Sequence, residues 1–297
     1  MFSGYRKVRP ILIVVGGLCT FMLSMAETPD MALTRALALI AKREDAAEIG
    51  DIRLYNHLEA ITNADSGVTI SEDVKQFLIM LIENHANDPG IRVAALRGLK
   101  WFPSAQDFIK TQCLSDIELE NAAAEVLIGW GDWNVSPILI RDEDFEPLAK
   151  FFQVRSHPII INAIQTASPG GRIWAAMILQ QYYDDSVTIQ QVARELISEY
   201  VINSKPFSDS NEVSRALYSS FMVLNEEAKA SDIGFMKAGI NCPLHAVRSA
   251  AYMPLRKLAN AGDEVALAVL KETIGGGKYI DVEDMIKLDF PKLRGSK

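Results

Sequence analysis

Three segments of this chain share one pattern, and their spacing constrains the fold more than any other feature. Each has a Pro, then an Arg, then two adjacent Ala residues in an apolar helical pattern. The segments are DPGIRVAAL from Asp88, SPGGRIWAAM from Ser168 and CPLHAVRSAAY from Cys242. Their Ala pairs lie 81 and 75 residues apart, which is twice about 40, and a period near 40 residues is typical of stacked helix pairs. The spacing predicts a repeating helical array.

Helical periodicity dominates the remaining sequence. Apolar residues at intervals of three and four, often after a Pro that suits a first helical turn, predict helices throughout the chain. These helices cover 29–45, 48–62, 71–88, 89–101, 144–152, 158–166, 169–183, 187–202, 211–225, 231–239, 243–259, 263–274 and 282–288. The run Ile159-Ile160-Ile161 could form a strand on residue propensity, but it is isolated and we assign it to a helix. We therefore expect an all-α fold.

One further helix is predicted before Gly129, and its start has a side-chain signature. Ser115 and Glu118 have the spacing of a capping box. In that motif the Ser hydroxyl accepts from the amide three residues on, and the acidic side chain returns to the cap amide. An Ala-rich apolar segment follows and stops at Gly129. The spacing predicts that Ser115 is the N-cap of this helix.

The arginine positions resemble those of HEAT repeats. In that family each repeat is a pair of antiparallel helices, and an Asp in the turn and an Arg in the second helix link neighbouring repeats. Asp88 and Arg92 match this pair. Asp116 matches the Asp of the next unit, although Glu120 stands where Arg is expected. The later units keep the arginine without the complete pair, at Arg172, Arg215 and Arg248.

The resemblance covers residues 71–275 and implies a right-handed α-solenoid of antiparallel helix pairs, of HEAT or armadillo type. On this interpretation residues 27–70 form N-terminal capping helices and residues 71–277 form the repeats. Residues 278–297 form a short C-terminal helix and a tail. Arg92, Arg172, Arg215 and Arg248, with Asp88, are expected to stack one repeat on the next.

Residues 1–26 have the three-part order of a secretory signal peptide: a basic start, an uncharged apolar run over 11–23, and small residues at Ser24 and Ala26 before a cut at Glu27. The alternative is an uncleaved anchor, although the apolar run is shorter than the roughly 20 residues of a bilayer span. Cleavage predicts a periplasmic or secreted protein with no stable membrane insertion.

Composition and charge limit the partners and the chemistry. The chain is 49% apolar and 23% charged, with a net charge of −8, whereas nucleic-acid-binding proteins normally carry a basic stripe. We therefore expect no nucleic-acid partner. Cys113 and Cys242, the cysteines beyond the signal segment, are too few for a disulfide framework.

Common reaction motifs are missing from the sequence. It contains no HExxH, GxSxG or CxxC and no complete phosphate loop. The run from Gly275 to Lys278 lacks the spacing and the following Ser or Thr of such a loop, so we interpret it as the end of the helical array. The four histidines are scattered, one to a segment. We assign no catalytic residue, no metal and no cofactor.

Two acidic clusters leave an enzyme open as an alternative. They are Asp142-Glu143-Asp144 and Asp184-Asp185. A glycosidase needs two carboxyl groups about 5–10 Å apart across a sugar, and residues such as Asp142 or Asp184 could supply them. Both clusters adjoin helix ends, where solvated charges are common. The alternative is a secreted helical enzyme acting on polysaccharide or cell-wall material.

Trp130 and Trp133 are the candidate binding residues. They flank Gly131 and Asp132 in a turn, where aromatic side chains are good anchors for a partner. The competing interpretation is a hydrophobic plug between two helix pairs. The sequence thus predicts an exported helical-repeat protein that acts as a protein–protein interaction or scaffold module in the cell envelope or periplasm.

Overall fold

The computed structural model describes residues 51–63, 70–84, 87–206, 210–276 and 278–295. The predicted signal peptide over 1–26 and the helix over 29–45 lie outside these residues. The described part of the chain contains fifteen α-helices and no strand. The prediction of an all-α fold is therefore confirmed.

The helices follow one another with short connections. They are α1 Asp51–Thr62, α2 Glu72–Glu83, α3 Pro89–Gly98, α4 Gln106–Phe108, α5 Glu120–Gly129, α6 Ser136–Arg141, α7 Glu146–Phe151, α8 Gln153–Thr166, α9 Pro169–Tyr183, α10 Ser186–Ile197, α11 Ser210–Glu226, α12 Ile233–Ile240, α13 His245–Asn260, α14 Glu264–Gly276 and α15 Ile280–Asp289. Two π-helical turns, Ile109–Cys113 and Ser198–Ile202, lie between them. None of these described helices has both the length and the apolar character that a membrane span requires.

Two of the repeated segments begin their helices in the same way. Asp88 precedes α3, and its carboxylate accepts from the amide of Gly90 at 2.8 Å. Ser168 precedes α9, and its hydroxyl accepts from the amide of Gly171 at 3.0 Å. A Pro follows each cap, where its missing amide costs no helical hydrogen bond. The predicted helix over 169–183 is confirmed at both ends.

Several predicted helix boundaries differ from the structure. The helix predicted over 71–88 ends at Glu83, and the side-chain amide of Asn87 donates to the carbonyl of Leu81 at 2.9 Å, satisfying a helix-end group. The helix predicted from Pro158 begins five residues earlier, at Gln153. Pro158 removes only the bond to the Val154 carbonyl, at a residue whose side chain is 90% exposed. The glycine run does not stop α14, which continues to Gly276.

The paired alanines lie where helices approach most closely. All six are buried: Ala94, Ala95, Ala175, Ala176, Ala250 and Ala251. They belong to α3, α9 and α13, which each contact helices both before and after them in the chain. Small side chains allow neighbouring backbones to approach. Gly239 in α12 extends this pattern, because a Cβ there would collide with Phe221 of α11 and Ala251 of α13.

Helix packing follows chain order. The principal contacts join helices that are adjacent or one helix apart in the sequence. Two groups of buried apolar residues form the core, one drawn from residues 54–148 and the other from 145–286. They meet at α7, where Leu148 belongs to the first group and Ala149 to the second. Helix α7 therefore contributes side chains to both groups of the core.

Candidate functional site

Arg92 ties together three parts of the chain. Its Nε donates to the carbonyl of Ile82 in α2 at 3.0 Å. Its Nη1 donates to Glu118 at 2.7 Å and its Nη2 to Asp116 at 2.5 Å, both in the turn before α5. Arg92 is buried. The guanidinium thus links α2 to α3 and holds both helices to the turn before α5.

Arg172 repeats this arrangement in the second segment. Its Nε donates to the carbonyl of Ile164 in α8 at 3.0 Å. Its Nη1 lies 2.9 Å from Glu199 and its Nη2 lies 3.3 Å from Glu195. Both carboxylates follow α9 in the chain, on α10 and on the π-helical turn after it. The planar guanidinium of Arg172 thus links α9 to α8 and also binds α10 and the π-helical turn after it.

Arg248 in the third segment shares the forward link to a carboxylate, but its carbonyl partners lie in the turn just before its own helix. Its Nη1 donates to the carbonyls of Cys242 and Pro243 at 3.0 and 2.8 Å. Its Nη2 donates to Asp281 of α15 at 2.6 Å, and the guanidinium lies 4.1 Å from the ring centroid of Tyr279. In all three segments the arginine therefore reaches a carboxylate at a later position in the chain, beyond its own helix pair.

The other residues expected to stack repeats occupy different positions. Asp88 caps α3 and bonds to a backbone amide. Arg215 is exposed on α11 and forms no ion pair with a described carboxylate. Glu120, which stands where Arg is expected, accepts from Arg141 at 2.9 Å. Glu120 thus supplies the negative partner of an ion pair at a position where the HEAT-like pattern predicts a positive one.

The predicted capping box at Ser115 and Glu118 is wrong. Asp116 is the side chain that accepts from a backbone amide, that of Glu118 at 3.0 Å, and α5 begins only at Glu120. The carboxylate of Glu118 is drawn to Arg92 and does not return to the turn. A buried guanidinium competes for the same carboxylates that would otherwise cap the helix, and charge-assisted bonds of this kind are the stronger ones.

A groove of about 520 Å³ lies beside the N-terminus of α9. Glu143 enters it with a left-handed backbone, φ 57°, and its carboxylate accepts from Ser168 N at 2.7 Å and from Ser168 Oγ at 2.5 Å. Glu212 accepts from the amide of Gly170 at 3.3 Å. These two carboxylates satisfy the amides and the positive dipole at this helix start. The groove is lined by Asp142, Glu143, Ser168, Gly170, Gly171, Trp174, Asn211, Glu212 and Arg215.

The acidic residues considered for an enzyme are not brought together. Asp142 lines the groove at the start of α9, whereas Asp184 follows the last residue of that helix. A helix of 15 residues is about 22 Å long, well beyond the roughly 5–10 Å between glycosidase carboxyl groups. A hydrogen bond from Arg141, with a weaker one from Asn121, lowers the pKa of Asp142, so this group is held ionised rather than as a proton donor.

One carboxyl group nearby behaves differently. The pKa of Asp144 is raised to about 6, chiefly by burial and also by the carboxylates of Glu125 and Glu146, against the opposing charge of Arg97. Arg97 itself holds Glu125 through two hydrogen bonds of 2.8 and 2.7 Å. Asp144 thus lies in a mixed network between α3, α5 and α7, and the groove beside α9 is lined by other residues.

Two tryptophans that follow helices each donate a hydrogen bond to a backbone carbonyl near the end of an earlier helix. The indole Nε1 of Trp101, just after α3, donates to the carbonyl of Ile61 in α1 at 2.8 Å. The indole Nε1 of Trp130, just after α5, donates to the carbonyl of Lys100 at 2.8 Å. Both rings are half-buried and pack against the first core. Each indole is therefore partly packed against the core and partly exposed.

Trp133 and two phenylalanines extend this edge. The ring of Trp133 meets that of Phe152 edge to face, with centroids 5.0 Å apart. Phe151 is 46% exposed, and its ring lies against Gly129, 3.5 Å from where a Cβ would stand. Together these rings form an aromatic strip, which consists of Trp101, Trp130, Trp133, Phe151 and Phe152. The structure thus places Trp130 and Trp133 on one strip, partly packed and partly open.

Three cations lie over the aromatic strip. Lys100 Nζ is 4.9 Å from the ring centroid of Trp101, Lys150 Nζ is 5.4 Å from that of Phe151, and Arg155 Cζ is 5.8 Å from that of Trp133. All three residues are exposed. Within the described ranges, no carboxylate forms an ion pair with any of them. Sequence reasoning missed them because they converge only through the packing of α3, α5, α7 and α8.

Comparison of this chain with known proteins finds no matching family model, no matching curated protein and no matching solved structure. The resemblance to HEAT repeats accordingly stays a prediction.

Proposed function

We propose that this protein is an exported α-solenoid of HEAT-like helix pairs that serves as a binding scaffold for another protein in the cell envelope or periplasm. The observation that carries the proposal is that three arginines, Arg92, Arg172 and Arg248, each join an earlier backbone carbonyl to a carboxylate farther along the chain. Arg92 and Arg172 bind the helix before their own, Arg248 binds the turn before its own, and all three bind a carboxylate that follows. Units joined in this way suit a continuous array, and arrays of this kind act through extended surfaces.

The order of helix contacts also supports the repeat proposal. The principal contacts join helices that are close in the chain, so each helix packs mainly on its neighbours in sequence. A quasi-one-dimensional array has this property. The buried Ala pairs of α3, α9 and α13 recur at the same place in their segments, as expected if one structural unit was repeated.

The aromatic strip is the surface that we assign to the partner. Trp130 and Trp133 are on it, and Phe151 adds the most exposed ring. Aromatic anchors that become buried on binding commonly contribute about 2 kcal/mol or more each. Here the rings are fixed in advance by hydrogen bonds and packing, so little side-chain entropy is lost when a partner covers them.

Phe151 gives the sharpest test, because Trp130 and Trp133 also support the core. In the native host, Phe151→Ala is expected to reduce the amount of crosslinked partner protein by at least about tenfold, because each 1.4 kcal/mol of lost binding free energy lowers affinity by roughly that factor. Leu288→Ala in α15 is the matched control, because Leu288 is 77% exposed and far along the chain. Unchanged partner recovery with Phe151→Ala would contradict the assignment.

The groove beside α9 is the observation that favours a second candidate function, an enzyme acting on polysaccharide or cell-wall material. It combines the ionised Asp142 with the indole of Trp174 in one recess. Purified protein incubated with wall glycan tests this directly. Hydrolysis that disappears in Asp142→Asn would establish the enzyme and overturn a scaffold without turnover. No product from any glycan, with the partner still recovered, is the result expected for the scaffold.

A further inference from the structure

The aromatic strip is positively charged although the chain as a whole is acidic. The net charge of the protein is −8, yet Lys100, Lys150 and Arg155 converge on one edge. Many other cations are paired with carboxylates: Arg92, for example, meets two of them. The three strip cations have no such partner among the described residues. An acidic protein thus presents an unmatched basic surface where its aromatic rings are most exposed.

The cations belong to a single continuous surface. The carbonyl of Lys100 receives the indole of Trp130, and the ring of Phe151 lies against Gly129, the residue before Trp130. Partial desolvation of the Lys100 side chain lowers its pKa, and the nearby charge of Lys150 also lowers it. Two ammonium groups that repel each other across a few aromatic rings form a site that an anion would stabilise.

Helix ends offset only part of this charge. The strip follows the C-termini of α3, α5 and α7, and each helix C-terminus carries about −0.5 of an elementary charge. Three such ends together contribute roughly −1.5, whereas the three side chains carry three positive charges. A positive excess therefore remains after the lysines and the arginine have stabilised the helix ends.

We propose that the aromatic strip docks an acidic segment of a partner protein, with carboxylates between the strip cations and apolar side chains on the exposed rings. This inference rests on the proposed scaffold function and names the chemistry of the partner at that site. Carboxylates match the unpaired ammonium and guanidinium donors. The cations are already held over ring faces, so they need little reorganisation to accept an anion.

A short acidic peptide fits this surface better than a long polyanion. Three cations can meet a few carboxylates, but a nucleic acid or an acidic polysaccharide would extend beyond them over a protein whose net charge is −8. Like charges repel over about 10 Å at ordinary salt. The exposed ring faces also favour a ligand with apolar side chains, which peptides supply.

The test uses protein purified from its own host and a fluorescein-labelled peptide of alternating acidic and apolar residues. Fluorescence anisotropy should show binding that weakens as salt rises, because the attraction is electrostatic. Lys100→Glu combined with Lys150→Glu should weaken it by at least about tenfold. Lys271→Glu with Lys292→Glu, two exposed lysines in the C-terminal region, makes the same change in net charge and should weaken it less than about twofold.

Several outcomes decide the inference. Equal losses of peptide binding in the two double variants would show that only the net charge matters, and this result would overturn the inference. Tighter binding of heparin, single-stranded DNA or anionic vesicles than of the peptide would assign another class of partner. If circular dichroism shows that the variant with Lys100→Glu and Lys150→Glu does not fold, peptide binding is measured with Lys100→Gln and Lys150→Gln instead. No peptide binding by wild-type protein, while Phe151→Ala still loses the native partner, would overturn the acidic ligand and leave the scaffold proposal standing.

Discussion

Glu143 caps the helix that Ser168 begins, through bonds of 2.5 Å to Ser168 Oγ and 2.7 Å to Ser168 N. The contact leaves no room on the neighbouring turn, because a Cβ at Gly171 would collide with the Glu143 carboxylate. Gly171 is buried in α9. The close approach of these chains therefore requires glycine at this position, although alanine is the better helix former in general.

Gly171→Ala is expected to lower the free energy of unfolding by about 1–3 kcal/mol, the usual cost of overpacking. Gly170→Ala is the matched control one residue earlier. The nearest atom to a Cβ there, Glu212 Oε1, is 3.5 Å away, so this change should be neutral or stabilise by up to about 1 kcal/mol. Urea unfolding of both variants measures the difference, and equal effects would contradict the close packing of Glu143.

Arg92 should contribute more to stability than a comparable exposed arginine. Arg92→Ala removes a buried guanidinium with one carbonyl and two carboxylate partners, at an expected cost of about 2–3 kcal/mol. Arg92→Lys should recover little, because an ammonium cannot reproduce the planar fork. Arg141→Ala also breaks two ion pairs, but that side chain is 56% exposed, and exposed pairs add little. Thermal unfolding that ranks Arg141→Ala as the more damaging change would refute the arginine linkage.

Asp144 should make stability fall as pH rises. Its pKa is raised to about 6 in the folded protein, chiefly by burial, so the native state holds this proton more tightly than the unfolded chain. That contribution is complete below about pH 4 and is lost as pH rises through about 6. Asp144→Asn, which stays neutral and can still donate to Glu125, should therefore melt above wild type at pH 7.5, with a smaller difference at pH 4.5.

Asp142→Asn provides a control of opposite sign for this pH dependence. The hydrogen bond from Arg141 lowers the pKa of Asp142, so its ionised form favours the folded state above its unfolded pKa and loses that effect in acid. This variant should melt below wild type at pH 7.5. Melting curves of the two variants that shift in the same direction at pH 7.5 would contradict the opposite environments of these neighbouring carboxyl groups.

Much of the helical architecture could be predicted because its signals are local. Helix α9 has a Ser cap, a first-turn Pro and two Asp residues after Tyr183, and both ends were predicted correctly. The cap of α5 was not, because Ser115 and Asp116 are both plausible acceptors and the choice depends on Arg92, more than 20 residues away. Local spacing carries no information about such a competitor.

The candidate site was predictable only in part, for the same reason. Two tryptophans in one turn mark Trp130 and Trp133 as unusual in the sequence alone. Lys100 and Lys150 are fifty positions apart, and nothing in their local sequence distinguishes them from other surface lysines. Their convergence depends on how α3, α5 and α7 pack, which only the tertiary structure reveals.

Site-specific photo-crosslinking tests the central claim, that a partner protein docks on the aromatic strip, most directly. A benzophenone amino acid replaces Phe151 in one variant and Leu288 in another, and both proteins are irradiated in their native compartment. We predict a protease-sensitive adduct from position 151 that an excess of the acidic peptide suppresses, and none from position 288. No adduct from position 151, or the same peptide-insensitive adduct from both positions, would contradict the account.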